Sequence, residues 1–442
     1  MLDKVPYDIS ILPDEILELI FEKLCVYRDY PNCSLVCSRW HRLFSGIANR
    51  RSKSFRRAIQ DGRVRWTRLP NKNIGTRLSF TNRYSHNACY VDGSIYVFGG
   101  CTANLTSFND LWRFDLSNRQ WNRVMANGTY PSPKSLSSMV AYRNQLILFG
   151  GWSQPRSINL HQAFFHQLHI YDIHSSNWSV VNTAFGPEAK AGHSACVLGD
   201  KMLLFGGSHS LWHSCNELWL FDIKRKSWLA VNFSKADAPQ PRFGAFLCAL
   251  SDCQALMMGG CGGANQKFHD CWVVTLQSQG HDLTAIWTQM EVNHTQCSSK
   301  LSLWSLNACK VGDSITVVSK VSHPVDAEIL ARISPRSKPA SIAANSFSAS
   351  SDDDDSLSQT ERLESSDRSG RGVRQTPQMR RERRLELLKK FEDKLKERNN
   401  LRAVANVRQN APLKNPMFLH TLDISNIDSG YVTWTPPNTL ET

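Results

Sequence analysis

Four glycine pairs set the limits on what this chain can fold into. Gly99-Gly100, Gly150-Gly151, Gly206-Gly207 and Gly259-Gly260 recur about every fifty residues. A short apolar run leads into each pair, a second run follows it, and a tryptophan closes the unit at Trp121, Trp178, Trp228 and Trp287. Any one of these features is common. Four copies in the same order describe one supersecondary unit repeated, and a period of this length built from short strands is that of a β-propeller with four-stranded blades. A propeller is a rigid display surface, so function has to be read from its loops and from what is fused to it.

Within a unit the strands are lettered a to d. In the first, Asp92-Gly93 joins two alternating runs and predicts a tight a–b hairpin, because both turn residues must tolerate positive φ. Strand b recurs over 146–149, 202–205 and 255–258, and strand c over 110–115, 168–173 and 218–223. Glycine is expected at the end of strand b because a side chain there would collide with the backbone of the next blade. The tryptophan is expected to plug the space between blades.

These units resemble the kelch repeat, over roughly residues 66–320, with departures. A fifth repeat has Val318-Ser319-Lys320 where the glycine pair should stand, and Ser137 and Ala245 replace the histidine found at His86 and His193. Its third and fourth strands are expected only at 420–424 and 431–435, with Trp434 as the closing tryptophan. Trp66 reads as a strand d with no partners before it, while the chain stops soon after Pro436-Pro437. The expectation is a mainly β protein with five recognisable kelch repeats on a six-bladed design whose last blade is incomplete. A five-bladed ring with Trp66 on an added outer strand is the rival.

Residues 12–24 are of another kind. Pro13, Asp14 and Glu15 suit the first turn of a helix, and Ile16, Leu17, Ile20, Phe21 and Leu24 fall on one face. A second helical run over 33–44 carries Leu35, Val36, Cys37, Trp40 and Leu43. So few residues bury too little to be very stable alone. Leu12-Pro13-Asp14-Glu15-Ile16 and Val36-Cys37-Ser38-Arg39-Trp40 resemble the two halves of the F-box at the right separation. That resemblance implies docking onto the Skp-type adaptor of a cullin–RING ubiquitin ligase through Leu12, Pro13, Ile16, Ile20 and Val36. A small helical cap packed on the propeller is the plainer reading. The domain organisation is then an all-α F-box at 1–50, a basic helical linker at 51–65, the propeller at 66–322, an insertion at 323–415, and final propeller strands at 416–442.

The combination resembles proteins with one N-terminal F-box and a kelch domain, the substrate-recognition subunits of SCF-type ligases. Such a subunit performs no bond chemistry; it raises the local concentration of substrate lysines. Strand parity puts the b–c and d–a loops on one face, and the long b–c loops make that face the adaptable one. Its candidates for a protein substrate are Trp152, Arg156, Trp212, His213 and Phe268, with Arg83 and Arg242 just before strand a. Aromatics and arginines suit a hot-spot surface.

The insertion is serine-rich, with Asp352 to Asp355 as an acidic tract, followed by a charged helical pattern carrying Leu385, Leu388 and Leu395. Net charge is +13. Ten Arg or Lys between Arg39 and Arg68 stand against Asp61 alone, a patch for acidic partners, but no nucleic-acid-binding fold accompanies it and direct nucleic-acid binding is not expected. The 13 cysteines, the charged N-terminus and the lack of a long apolar span point to a reducing cytoplasmic or nuclear setting and to no membrane. Cys33 and Cys37 read as packing residues. No His, Cys or Tyr set has metal-ligand spacing on the loops, so neither metal nor cofactor is expected, as it would be in a kelch-like copper oxidase. The remaining alternative is a kelch scaffold or actin-binding protein in which the F-box match is incidental.

Overall fold

The computed structural model describes residues 9–64, 81–154, 164–210, 213–263, 266–279, 282–294, 308–320, 417–435 and 438–440. Trp66, Arg156, Trp212 and the insertion at 323–415 lie outside them. Among the described residues, five blades follow one another in chain order, each with strands a to d antiparallel to their neighbours. Blade 1 is Asn87–Val91, Ser94–Phe98, Leu111–Asp115 and Gln120–Val124. Blade 2 is Ser138–Tyr142, Gln145–Phe149, Leu168–Asp172 and Asn177–Val181. Blade 3 is Ser194–Leu198, Lys201–Phe205, Leu218–Asp222 and Ser227–Ala230, and blade 4 is Phe246–Ala249, Gln254–Met258, Cys271–Gln279 and Asp282–His294.

Blade 5 is split as the sequence suggested, with strands Ala308–Val311, Ser314–Lys320, Met417–Asp423 and Tyr431–Trp434. Its b and c strands pair over seven residues where blades 1 to 3 pair over five. The cause is local. Ser319 and Lys320 stand at the two positions where left-handed glycines turn the chain elsewhere, so strand b runs straight on.

The tryptophans close the blade interfaces. Trp178 meets Phe98 of blade 1 at 5.5 Å, Trp228 meets Phe149 of blade 2 at 5.1 Å, and Trp287 meets Phe205 of blade 3 at 4.9 Å. Trp434 joins the core formed with Leu256 and Met258 of blade 4. Trp121 is only half-buried and packs on Phe114 of its own blade. The glycine pairs do what crowding demands: a β-carbon on Gly99 would lie 2.5 Å from the Lys134 carbonyl oxygen, and one on Gly206 would lie 2.5 Å from that of Arg242, each in the next blade.

One coupling between blades was not legible in the repeat. After leaving strand d, the chain runs parallel to the outer strand of the following blade. Asn127-Gly128 pairs with Asn177-Trp178, Asn232 bridges to Thr284, and Glu291–His294 pairs with Tyr431–Trp434. Each connector thus adds backbone hydrogen bonds across a blade boundary.

Among the described residues, three α-helices precede the propeller: α1 (Asp14–Phe21), α2 (Tyr30–Cys33) and α3 (Ser38–Gln60). The expected separate linker helix is instead the second half of α3, which runs 23 residues without a break. Leu17, Phe21, Tyr30, Leu43, Phe44 and Ile47 form the helical core. Phe21 stacks on Phe44 with ring centroids 4.2 Å apart. Cys33 packs against this core, whereas Cys37, the residue before α3, is exposed rather than packed.

Candidate functional site

The apolar residues of α1 do not share one face. Leu17 and Phe21, one turn apart, point into the helical core, while Ile16 is 44% exposed, Leu19 59% and Ile20 39%. Val36 at 63% and Leu35 at 82% lie in the turn before α3. Pro13 is exposed and Leu12 is half-buried against the core. Leu19 was missed from the sequence because the apolar residues of 12–24 were read as a single stripe that left it out, and Leu35 because it precedes the Val36-Cys37-Ser38-Arg39-Trp40 match from which the interface was taken. Ile16, Leu19 and Ile20 share one side of α1 by their spacing, and an exposed apolar helix face of this kind marks an interaction site.

Arg39 fixes the chain entering α1. It donates to the Ser10 and Leu12 carbonyl oxygens at 2.6 Å each and to Asp14 at 2.7 Å. Arg42 reaches the same carboxylate at 2.7 Å. The Arg39 hydrogen bond, with Arg42 behind it, holds the Asp14 carboxyl below its ordinary range. At the other end of this domain, Tyr27 lies beside the a–b turn of blade 1, 3.9 Å from where a β-carbon on Gly93 would stand. Arg56 lies 3.0 Å from the corresponding point on Gly312, in the a–b turn of blade 5. The helices therefore abut the a–b side of the propeller, and strand parity turns the b–c and d–a loops the other way.

Beneath those loops, blades 1, 3 and 4 repeat one brace. In blade 1, Arg83 grips Asp110 with two hydrogen bonds of 2.5 and 3.0 Å, and the Trp112 indole donates to the same carboxylate at 2.6 Å. Blade 4 repeats this with Arg242, Asp270 and Trp272 at 2.6, 2.9 and 2.7 Å. In blade 3 Lys190 bonds Glu217 at 2.6 Å and Trp219 donates to it at 3.0 Å. Phe108 and Phe268 are platforms for the guanidinium groups, 4.1 and 3.9 Å away. Burial alone would raise the Asp110 carboxyl, but hydrogen bonds from Arg83 and Trp112 outweigh it and hold the group below its ordinary range.

This changes the part played by three residues expected on the surface. Arg83 and Arg242 have side chains only 1% exposed, so they stiffen the loop bases from inside, and Phe268 serves Arg242 rather than standing clear. Trp152 is half-buried and bridges Ser135 to Phe164, and His213 is exposed at the end of a short ribbon with Ser208–Ser210. The brace was illegible because its partners lie 27 or 28 residues apart (83 to 110, 190 to 217, 242 to 270). Only blade register brings them together.

Blade 3 also gathers His209, Cys215 and Glu217, whose ligand atoms lie within 4.8 Å of one another. Lys190 already stands among them, at 2.6 Å from Glu217 and 3.6 Å from the Cys215 sulfur. The positive charge a metal would bring is supplied by the protein, and the cluster is a brace. Near the same face, Ser85, Leu136, Gly192 and Gly244 hold matching left-handed positions with φ of 53°, 55°, 67° and 65°. Their backbones form a relay: Leu136 N–H donates to the Ser85 oxygen at 3.1 Å, Gly192 to Leu136 at 2.8 Å, and Gly244 to Gly192 at 2.6 Å.

Comparison with known proteins matches both parts. Residues 9–56 match the F-box-like family, and residues 83–281 match the family described as FBX42, beta-propeller domain. The chain is 26% identical over 222 residues to kelch domain-containing protein 3 of Rattus norvegicus, covering 47% of this chain and 56% of that protein. It is 27% identical over 244 residues to kelch domain-containing protein 1 of Mus musculus, covering 48% and 58%. Tip elongation aberrant protein 1 of Schizosaccharomyces pombe is 29% identical over 215 residues, covering 47% and 18%. The matched region spans little more than half the length of the two kelch domain-containing relatives.

Proposed function

We propose that this chain, an F-box joined to a kelch propeller, is the non-catalytic substrate-recognition subunit of an SCF-type ubiquitin ligase. The F-box docks on a Skp-type adaptor, and the propeller presents a protein substrate for ubiquitination and degradation. The observation that carries this reading is the apolar band of Ile16, Leu19, Ile20, Leu35 and Val36, left uncovered on a domain that abuts the a–b side of the propeller. Adaptor and substrate then approach from different sides and do not compete. The internal braces support it further, since a display face works best on loops whose bases do not move.

In this reading the chain supplies proximity, not bond chemistry. Trp152 and His213 are the described side chains best placed to meet a substrate. Replacing Ile16, Leu19 and Val36 together by serine removes three of the five residues of the band without touching the helical core. The variant is expected to keep its stability within about 0.5 kcal/mol, as surface changes do, and to lose capture of the adaptor in a pull-down from purified components. Undiminished capture would overturn the docking assignment.

A further inference from the structure

Blade 2 departs from its neighbours at two positions of the brace, and one of them leaves its cation without an acid. The cation is present as Lys134 and the aromatic platform as Phe165, 4.3 Å from the ammonium. His169 stands where blades 1, 3 and 4 have Trp112, Trp219 and Trp272. The position of the acid, however, is Gln167, which is exposed. Lys134 is fully buried and His169 is 2% exposed. Among the described residues, neither Lys134 Nζ nor His169 Nδ1 has a hydrogen-bond partner. Blade 2 thus keeps the donors of the brace and lacks the carboxylate that unites them elsewhere.

We infer that this gap is an acceptor site for a carboxylate carried on an acidic side chain of a protein ligand. The carboxylate takes the place that Asp110, Glu217 and Asp270 hold in the other blades, accepting from Lys134 Nζ. Two features place the site where a ligand arrives. The acid position opens each strand c, so it lies at the base of a b–c loop. The three resident acids also keep some solvent access, with side chains 13%, 42% and 20% exposed. The lysine registers what is missing: burial with no acid beside it brings Lys134 down to about 8. A bound carboxylate restores the charge-assisted bond that the blade was built around. Selectivity follows, because an amide side chain cannot satisfy the charge.

The inference rests on the b–c face being the ligand face, and it specifies what kind of ligand segment that face selects. Its test uses the full-length chain and short peptides blocked at both ends, one carrying a Glu–Asp run and one the matching Gln–Asn run, so that only side chains differ. Fluorescence anisotropy should show the acidic peptide bound at least ~10-fold more tightly than its amide counterpart, as loss of a charge-assisted bond implies. Gln167→Glu fills the gap from within. It should reduce acidic-peptide binding to the amide level and raise the melting temperature. Lys134→Met should reduce binding in the same way. Equal binding of the two peptides, unchanged binding by Gln167→Glu, or no rise in its melting temperature would each overturn the site. Adaptor capture, scored in the same preparations, fails only if the ligase reading itself is wrong.

Discussion

The helical domain and the propeller use apolar residues to opposite ends. The propeller turns its closing tryptophans inward: Trp178, Trp228, Trp287 and Trp434 are at most 8% exposed, each sealed in or against a neighbouring blade, while the large apolar side chains it leaves exposed, such as Met125, Phe185 and Ile286, come from separate blades. In the helical domain, six buried apolar residues make the core, while Ile9, Ile11, Ile16, Leu19, Ile20, Leu35 and Val36 remain exposed. Size does not compel this, since a longer helix or a salt-bridged face could have covered them. One region places its largest apolar side chains at its own interfaces, and the other leaves a cluster of them exposed on a small domain, as the docking reading requires.

The strongest way to break that comparison is to open the propeller and ask whether the helical domain notices. Trp178→Ala removes a 1% exposed side chain from the contact between blades 1 and 2 and should cost about 4 kcal/mol. Urea unfolding should show the loss, while adaptor capture in native buffer persists. A coincident loss of capture at low urea would mean that the two regions fold as one.

Acid sharpens the comparison next. His193 is buried against Ser138, and burial, with Lys190 nearby, pushes it down to about 3. Burial and Lys134 bring His169 to about 4. Unfolded imidazoles take up a proton near 6.5, so the unfolded chain binds more protons than the folded one between that value and these depressed ones. Propeller stability is therefore fully present above pH 6.5 and declines as pH falls through the window, by about 2 kcal/mol per imidazole at pH 5. Urea midpoints at pH 7 and pH 5 measure it; equal midpoints would mean that the histidines are not shielded.

The smallest effect concerns the backbone relay. Ser85 holds a φ of 53° where Gly192 and Gly244 hold the same conformation without strain. Ser85→Gly relieves a left-handed penalty of roughly 1–2 kcal/mol but gives the unfolded chain more freedom. A net gain of about 0.5 kcal/mol is expected, read as a small upward shift in melting temperature. A loss would show that the serine side chain matters more than its backbone.

The sequence was most readable where it repeated itself. Gly99, Gly150, Gly206 and Gly259 announced the blades because each holds the same left-handed conformation at the end of strand b, and Trp434 could be assigned to blade 5 across a long insertion on that pattern alone. The blade 2 gap was not readable. Gln167 looks like any loop glutamine until Asp110, Glu217 and Asp270 are laid over it, and that alignment depends on where strand c begins. Arg83 and Arg242 looked like surface arginines because a sequence shows charge and not depth. The exposed half of α1 was concealed for the opposite reason. Periodicity says that a stripe is apolar, but two partners, one within the chain and one outside it, can share the stripe between them.

The unbroken course of α3 carries a consequence of its own. Its first half holds Leu43, Phe44 and Ile47 in the helical core, and its second half carries Arg56 to blade 5 and buries Ile59. A helix advances 1.5 Å and turns about 100° per residue, so the stretch between Ile47 and Ile59 acts as both ruler and protractor. One residue inserted there would leave every contact at either end chemically intact and still swing one end against the other by more than a quarter turn. The spacing in that helix is a setting for direction, and it decides how the propeller is turned with respect to the helical core.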